Sequence, residues 1–179
     1  LKPHKDLLRS LVTDLRHTLD GAYDEAAPDG RTRIRGDLDR ELERIGIAPD
    51  GAVTPLDALP NRTPHDERAH RVAATQLSSV AKEERPALRS TQGQAVRREI
   101  VERAAYTWIN RLLALRTMEA RGLIEETLRI NPAYEGVSEA LYMLRYEDAQ
   151  RTSGPDGGWW AVIENACEAQ AKVLPGLFD

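Results

Sequence analysis

The stretch QAVRREIVERAAYTWINRLLALRTMEARG, residues 94–122, contains the longest uninterrupted helical pattern in the chain. Its apolar residues recur at spacings of three and four, and further apolar side chains occupy the opposite half of the helical circumference. A helix with this pattern is buried between neighbours or lies at a domain interface. Gly122 is suited to end it, because glycine readily adopts the left-handed conformation of a helix C-terminus. The stretch therefore predicts a long central helix over about 94–121.

The sequence on either side predicts more helices and no significant sheet. Apolar periodicity and end signals place them at about 3–20, 34–46, 64–84, 123–130, 138–145 and 160–174. The predicted fold class is therefore all-α, a helical bundle in which about six helices surround the central one. Within it we expect an N-terminal helical hairpin over 1–46, a Pro-rich linker over 47–64 and a helical core region over 65–179.

Composition is typical of a globular protein with an aliphatic core. Of the 179 residues, 41% are hydrophobic, 30% are charged and 5% are aromatic. The formal net charge of −4 argues against a general nucleic-acid coat but permits a local basic patch. Cys167 is the only cysteine, so no internal disulfide can form, and we expect a cytoplasmic protein without a membrane span. Because the chain starts with Leu1 rather than Met, we interpret it as a segment of a longer polypeptide.

Residues with metal-binding or nucleophilic chemistry do not form a recognisable site. The histidines lack the spacing of metal ligands, and no cysteine pair accompanies them; they are His4, His17, His65 and His70. A glycine-rich phosphate loop and a Gly-x-Ser-x-Gly motif are also absent from the sequence. Cys167 lies on the apolar stripe of the last predicted helix, which favours a buried hydrophobe over a nucleophile. We therefore expect no catalytic residue, no cofactor site and no metal site in this chain.

Residues 131–134, Asn-Pro-Ala-Tyr, look like the Asn-Pro-Pro-Tyr motif of amino-group DNA methyltransferases. In that motif the asparagine accepts a hydrogen bond from the target amine, and the aromatic ring stacks on a flipped base. The motif comes after a strand of a cofactor-binding sheet, whereas this tetrapeptide comes after a helical pattern. We therefore favour a helix end at Asn131 and Pro132 with Tyr134 packing locally. The alternative is a small enzyme that uses these residues.

Arginine is concentrated along the central helix and just before it. Residues 85–121 contain eight arginines and three glutamates, a local net charge of +5, so the rest of the chain carries −9. One interpretation is contact with DNA phosphates through Arg97, Arg98, Arg103 and Arg116. The interpretation we favour is a solvated face whose arginines pair with acidic helices elsewhere in the chain.

Three polar residues interrupt the apolar faces of the central helix: Thr107, Asn110 and Arg111. Arg111 falls inside the apolar arc, where a charge is costly unless it finds a partner. We therefore predict that these side chains form hydrogen bonds to another helix or domain.

Residues 103–116, RAAYTWINRLLALR, and residues 118–122, MEARG, resemble the AYTWxNRLxALRxMExxG segment of large bacterial adenine-specific DNA methyltransferases. These are the PglX-type enzymes of BREX phage-defence systems, the related methyltransferase of DISARM systems and type IIG restriction–modification proteins. The turn YEGVS at 134–138, the helix entry DGGWW at 156–160 and the closing LPGLF at 174–178 are similar to the segments downstream of that signature in the family. The resemblance covers about 96–179 well and the preceding residues loosely.

The resemblance implies an N-terminal helical region of a much larger enzyme. In the family, the S-adenosylmethionine loop and the Asn-Pro-Pro-Tyr motif lie further downstream, so no catalytic residue carries over to this chain. The resemblance implies an architectural or interface role for Tyr106, Trp108, Asn110, Arg111 and Arg116. The implied partners are the catalytic domain of the same polypeptide, DNA and other defence-system subunits. The alternative function is a stand-alone helical module that binds protein within a defence complex.

Overall fold

A computed structural model describes residues 2–24, 26–28 and 32–178, and it leaves the side chains of residues 2–5 and 7 undescribed. The described residues contain seven α-helices: α1 Lys2–Asp20, α2 Asp37–Arg44, α3 Pro64–Leu77, α4 Pro86–Ala120, α5 Glu139–Glu147, α6 Trp159–Ala171 and α7 Pro175–Phe178. Two strands of three residues, β1 Gly21–Tyr23 and β2 Arg33–Arg35, form the one sheet. The all-α prediction is therefore confirmed. None of the described helices is long and apolar enough to cross a membrane.

The central helix α4 is longer than its sequence pattern indicates. It begins at Pro86, because proline needs no backbone hydrogen bond in the first turn of a helix. Its 35 residues correspond to about 52 Å at 1.5 Å per residue. It ends at Ala120, and Gly122 just beyond it has the left-handed conformation predicted for the glycine that ends this helix, with a φ of 66°. The amides of Gly122 and Leu123 donate to the carbonyls of Glu119 and Met118, which is the Schellman pattern of helix termination.

The chain divides into two compact units within α4, Leu1–Tyr106 and Thr107–Asp179. The first unit has a core of aliphatic residues from α2, α3, α4 and the loop after α2. Its buried members are Leu42, Ile45, Ile47, Ala73, Leu77, Val80 and Val101. Ile47 and Leu77 are almost completely buried, and each such burial stabilises the fold by about 1.5–3 kcal/mol.

The prediction that the second helix starts near Ile34 is wrong. Ile34 lies in β2, pairs with Ala22 of β1 and is 59% exposed, and α2 starts only at Asp37. Gly21 allows this change of direction, because its φ of 88° ends α1 and the carbonyl of Ile34 approaches it too closely for any side chain. The regular spacing from Ile34 to α2 therefore does not reflect one continuous helix.

The loop over 47–64 packs against α4. Val53 contacts the core, and Ile47 and Val53 form an isolated β-bridge. Gly51 lies against Gly93 of α4 with their backbones in direct contact. At the end of the loop, Thr63 caps α3 and forms a capping box with Asp66. A hydrogen bond from Arg44 holds the pKa of the Asp66 carboxyl well below its usual range. α3 ends at Leu77 rather than near Glu84, and a short 3₁₀ turn, Val80–Lys82, comes after it.

The second unit has two apolar clusters. One surrounds Leu115, Cys167 and Phe178, and the other surrounds Leu141, Leu144 and Val162. Ser138 caps α5, with its hydroxyl accepting from the amide of Leu141. The last helix ends at Ala171, and Pro175 begins α7 rather than ending α6.

The prediction of a helix over 123–130 is wrong. Glu119 of α4 is buried, and its carboxylate accepts hydrogen bonds from the backbone amides of Thr127 and Leu128, the first at 2.5 Å. The carboxylate is also 3.1 Å from Arg116. A helix would use those amides internally, whereas here they satisfy a buried charge.

The contact between Gly51 and Gly93 predicts that replacing a helical glycine by alanine will lower the stability of the protein, the opposite of the usual effect. Gly93 lies inside a helix, so Gly93→Ala would normally stabilise the protein by about 0.5–1 kcal/mol. In this structure the new Cβ would lie 1.9 Å from the carbonyl oxygen of Asp50, so we expect destabilisation of about 1–3 kcal/mol. Urea unfolding measures the change. Gly176→Ala in α7 is the control, because its Cβ would meet no atom within 4 Å and should cost nothing.

Candidate functional site

Arg97 of α4 is buried and serves the fold. Only 7% of its side chain is exposed. Its Nη1 donates to Oδ1 of Asp39 at 2.5 Å, and its Nη2 donates to the backbone carbonyl of Asp39 at 2.7 Å. Asp39 is itself buried in α2, and its other oxygen lies 3.2 Å from Nη1 of Arg33. The guanidinium of Arg97 is therefore enclosed with its counter-charge and does not reach the surface.

Arg98, which is partly buried, pairs with the other buried acid of this region. Its Nη1 lies 2.8 Å from Oδ1 of Asp20, the last residue of α1, and Arg33 contacts the same oxygen at 2.9 Å. Its Nε is 2.7 Å from Glu102 one helical turn away. Asp20 is buried like Asp39. We call the five residues Asp20, Arg33, Asp39, Arg97 and Arg98 the buried ion network; it joins α1, β2, α2 and α4.

Arg103 and Arg116 differ from these two arginines because they remain at the surface. The side chain of Arg103 is 63% exposed and pairs with Glu99 one turn earlier at 2.5 Å. The side chain of Arg116 is 48% exposed and pairs with Glu119. The exposed pair of Arg103 contributes about 0–1 kcal/mol and is easily exchanged for another anion. The partner of Arg116 is buried, so Arg116 would bind an anion through the exposed part of its side chain. Of the four arginines predicted to contact DNA, Arg103 and Arg116 are thus the two that a phosphate could reach without unfolding the first unit.

Trp108 and Arg111 lie in the core of the second unit. The ring of Trp108 packs against Trp160 of α6 at a centroid distance of 4.9 Å, and the guanidinium carbon of Arg111 lies 5.4 Å from the centre of the Trp108 ring. The Nε of Arg111 donates to the carbonyl of Leu177 in α7 at 3.2 Å. The prediction that Arg111 bonds to another helix is therefore confirmed. A cation over a partly desolvated indole contributes about 0.5–2 kcal/mol.

The remaining residues of the family-like segment have different environments. Tyr106 is 70% exposed and is the last residue of the first unit. Thr107 and Asn110 are half-buried in α4. Tyr106 is therefore the member of the segment that presents an aromatic surface to solvent.

The Asn-Pro-Ala-Tyr segment forms a local turn. The side chain of Asn131 accepts from the amide of Ala133 at 3.0 Å and donates to Glu126 at 2.8 Å. The hydroxyl of Tyr134 donates to Glu139 at 2.9 Å, which raises the pKa of Tyr134, and its ring packs 5.5 Å from that of Tyr142. Both ends of the asparagine amide are thus engaged within the turn, as expected for local packing.

His70 and Cys167 are buried and contact other parts of the fold. His70 is buried in α3, and its Nε2 is 2.8 Å from the carbonyl oxygen of Thr54; the side chain of His4 lies outside the described residues. Burial raises the pKa of the Cys167 thiol, which lowers its nucleophilicity at neutral pH. Over residues 2–24, 26–28 and 32–178, no three His, Cys, Asp or Glu side chains are grouped so that they could hold a metal ion.

Sequence patterns did not identify the buried acids Asp20, Asp39 and Glu119. Asp20 and Asp39 lie in helical stretches where acids are ordinarily solvated, and Glu119 lies near a helix C-terminus, where a negative charge is unfavourable. Comparison of the chain with family models, curated proteins and solved structures finds no match. Function must therefore be inferred from the residues of this chain.

The structural role of Arg97 can be tested against its predicted DNA role. Asp39→Ala leaves the buried guanidinium of Arg97 with Glu43, 3.5 Å away and partly exposed, as its remaining acidic partner. We therefore expect the free energy of unfolding to fall by about 3 kcal/mol, the lower end of the range for a broken buried ion pair. The double variant Asp39→Leu/Arg97→Met should recover most of that loss, because two apolar residues need no partner. Urea unfolding at neutral pH measures both. Equal stability of wild type and Asp39→Ala would show that the pair does not organise the unit.

The contact of Arg111 with α7 can be followed through the single cysteine. Cys167 packs with Phe178 of α7, so its thiol should react slowly with a disulfide reagent. Arg111→Met removes the hydrogen bond to Leu177, and we expect the reaction of Cys167 to accelerate at least about tenfold as α7 opens more often. Arg121→Met, at an exposed position just after α4, is the matched control and should leave the rate unchanged. Unchanged reactivity of the Arg111 variant would contradict the proposed contact.

Proposed function

We propose that this chain is the non-catalytic N-terminal helical part of a bacterial adenine-specific DNA methyltransferase that acts in phage defence or restriction–modification. The observation that carries the proposal is the family-like segment over 103–122 and the way it is used. Trp108 and Arg111 of that segment organise the second unit through Trp160 and Leu177. This use of the segment supports the architectural role that the resemblance implies.

The arrangement of charges supports a non-catalytic role for the chain itself. Asp20 and Asp39 are each held by arginines, and Glu119 is held by backbone amides and Arg116. A catalytic acid or base instead needs access to a substrate atom and a pKa suited to proton transfer. The S-adenosylmethionine site and the base-flipping pocket would come from the catalytic domain of the same polypeptide. The exposed ring of Tyr106 is suited to pack against that domain, because aromatic side chains are enriched at interfaces.

Contact with DNA would be peripheral in this proposal. Arg103 could exchange its exposed partner Glu99 for a phosphate, and Arg116 could contact a phosphate through the exposed part of its side chain while Glu119 stays buried. Both contacts would add affinity without sequence specificity. The specificity for the adenine site and the methyl transfer would remain with the rest of the enzyme.

A stand-alone helical protein-interaction module is the second candidate function. It is favoured by apolar side chains left at the surface of the second unit, such as Leu123, Ile130 and Met143, of which Met143 lines a groove. Its partner would be another subunit of a defence complex.

The coding sequence beyond codon 179 tests the first proposal against the second. We expect the reading frame to continue into a glycine-rich cofactor loop and an Asn-Pro-Pro-Tyr motif. The protein encoded by that longer frame should transfer a methyl group from radiolabelled S-adenosylmethionine to adenine in duplex DNA. Residues 1–179 alone should show no transfer and no cofactor binding by calorimetry.

A matched pair of variants of the longer protein separates packing from chemistry. Trp108→Ala should lower its thermal stability as well as its methylation rate, whereas Val72→Ala, at an exposed position of α3, should change neither. A stop codon directly after codon 179 would overturn the methyltransferase proposal and favour the stand-alone module. Binding of S-adenosylmethionine by residues 1–179 would contradict both.

A further inference from the structure

The apolar stripe of α1 continues beyond the part of the helix that is packed. Leu15 and Leu19 in the C-terminal half are partly buried, and α1 contacts α2. Leu8 and Leu11 lie on the same face of the helix because their spacing from Leu15 is seven and four residues. They are nevertheless 53% and 47% exposed. The N-terminal half of α1 thus presents an apolar face that no described residue covers fully.

Positive charge lies along one side of this exposed face. Arg9 and Arg16 are spaced seven residues apart and flank the leucine stripe. Their acidic neighbours hold them weakly: Arg9 lies 3.6 Å from Asp6 and Arg16 lies 3.7 Å from Asp20, and the arginine side chains are 69% and 64% exposed. Pairs at such distances in solvent contribute little stability, so both guanidinium groups can turn to a stronger partner.

The second unit contains a groove of about 510 Å³ whose apolar and acidic residues complement the apolar and basic face of α1. Residues from α5, α6 and the segment after α4 form its apolar lining: Ile124, Ala140, Met143, Leu144, Val162 and Ala166. Glu125 and Glu147 supply its carboxylates, and neither has an ion-pair partner within the described part of the chain. None of the described residues that line the groove is basic. Met143 lies on the same face of α5 as Ala140 and Leu144, and 45% of it is exposed in the groove.

We propose that the N-terminal half of α1 of one copy of this chain docks into the groove of a second copy, with the exchange made in both directions. Leu8 and Leu11 would insert as apolar anchors beside Met143, in the manner of an amphipathic helix in a groove. Arg9 and Arg16 would face Glu125 and Glu147. The reciprocal arrangement gives a closed two-fold dimer in which the same two surfaces are used twice.

A second copy of the chain suits both surfaces better than other occupants do. Each copy supplies one basic amphipathic helix face and one acidic apolar groove, so the two surfaces match in number as well as in charge. Glu125 and Glu147, which have no ion-pair partner among the described residues, would repel a nucleic acid or an anionic membrane from the groove. The inference does not depend on the methyltransferase proposal, because it uses no residue of the family-like segment.

Sedimentation equilibrium of the 179-residue chain tests the proposal. We expect a monomer–dimer equilibrium whose dissociation constant rises with salt, because part of the attraction is between exposed charges. Leu8→Glu/Leu11→Glu and Met143→Glu should each raise that constant by at least about tenfold. Val72→Glu in the first unit and Val173→Glu in the second are matched controls at exposed apolar positions, and both should leave it unchanged. Far-UV circular dichroism and thermal unfolding show whether each variant remains folded.

A peptide identifies the docking surfaces directly. A fluorescein-labelled peptide with the sequence of residues 1–20 should bind Leu8→Glu/Leu11→Glu, whose groove is intact and empty of its own partner, and should not bind Met143→Glu. A scrambled peptide of the same composition should bind neither variant. A wild-type chain that stays monomeric at all accessible concentrations would overturn the proposal. A dimer that survives both sets of substitutions, or equal binding of the labelled peptide to both variants, would overturn it as well.

Discussion

The buried ion network imposes the main constraint on the first unit. Asp20 and Asp39 are almost completely buried, and they can remain charged only because Arg33, Arg97 and Arg98 surround them at distances of 2.5–3.2 Å. These five residues come from four elements that are distant in sequence. Since an unpaired buried charge costs several kcal/mol, the ends of α1, β2, α2 and the first half of α4 must meet in one arrangement. Apolar burial stabilises the unit, whereas the network selects which helices and strands lie together.

The second unit uses a buried charge in another way. Glu119 has backbone amides as its main partners, so one carboxylate determines the path of the segment after α4. The structure also changes how the arginines of α4 are interpreted. The local charge of +5 along this helix suggests a phosphate-binding surface, but Arg97 and Arg98 neutralise acids inside the protein. The surface along α4 is therefore less basic than the sequence indicates. Glu125 and Glu147 are exposed and have no ion-pair partner in the part of the chain that the structure describes.

Features that depend on neighbouring residues could be predicted well from the sequence. The helical periodicity of α4, the caps at Thr63 and Ser138 and the helix-ending glycine Gly122 all depend on interactions within a few residues. The need of Arg111 for a partner could also be predicted, because its place in an apolar arc is visible on a helical wheel. Its partner, the carbonyl of Leu177, could not, since a backbone oxygen 66 residues away leaves no pattern in the sequence.

The sequence by itself determined the helical class, the central helix and the polar residues within it that require partners. Tertiary structure alone decided which charges are buried, why Ile34 lies in a strand, and why residues 123–130 do not form a helix. The physical reason is the distance along the sequence over which each interaction acts. Helix propensity and capping act over three or four residues, whereas the free energy of a buried carboxylate depends on every group that replaces its water, and those groups come from elements dozens of residues apart.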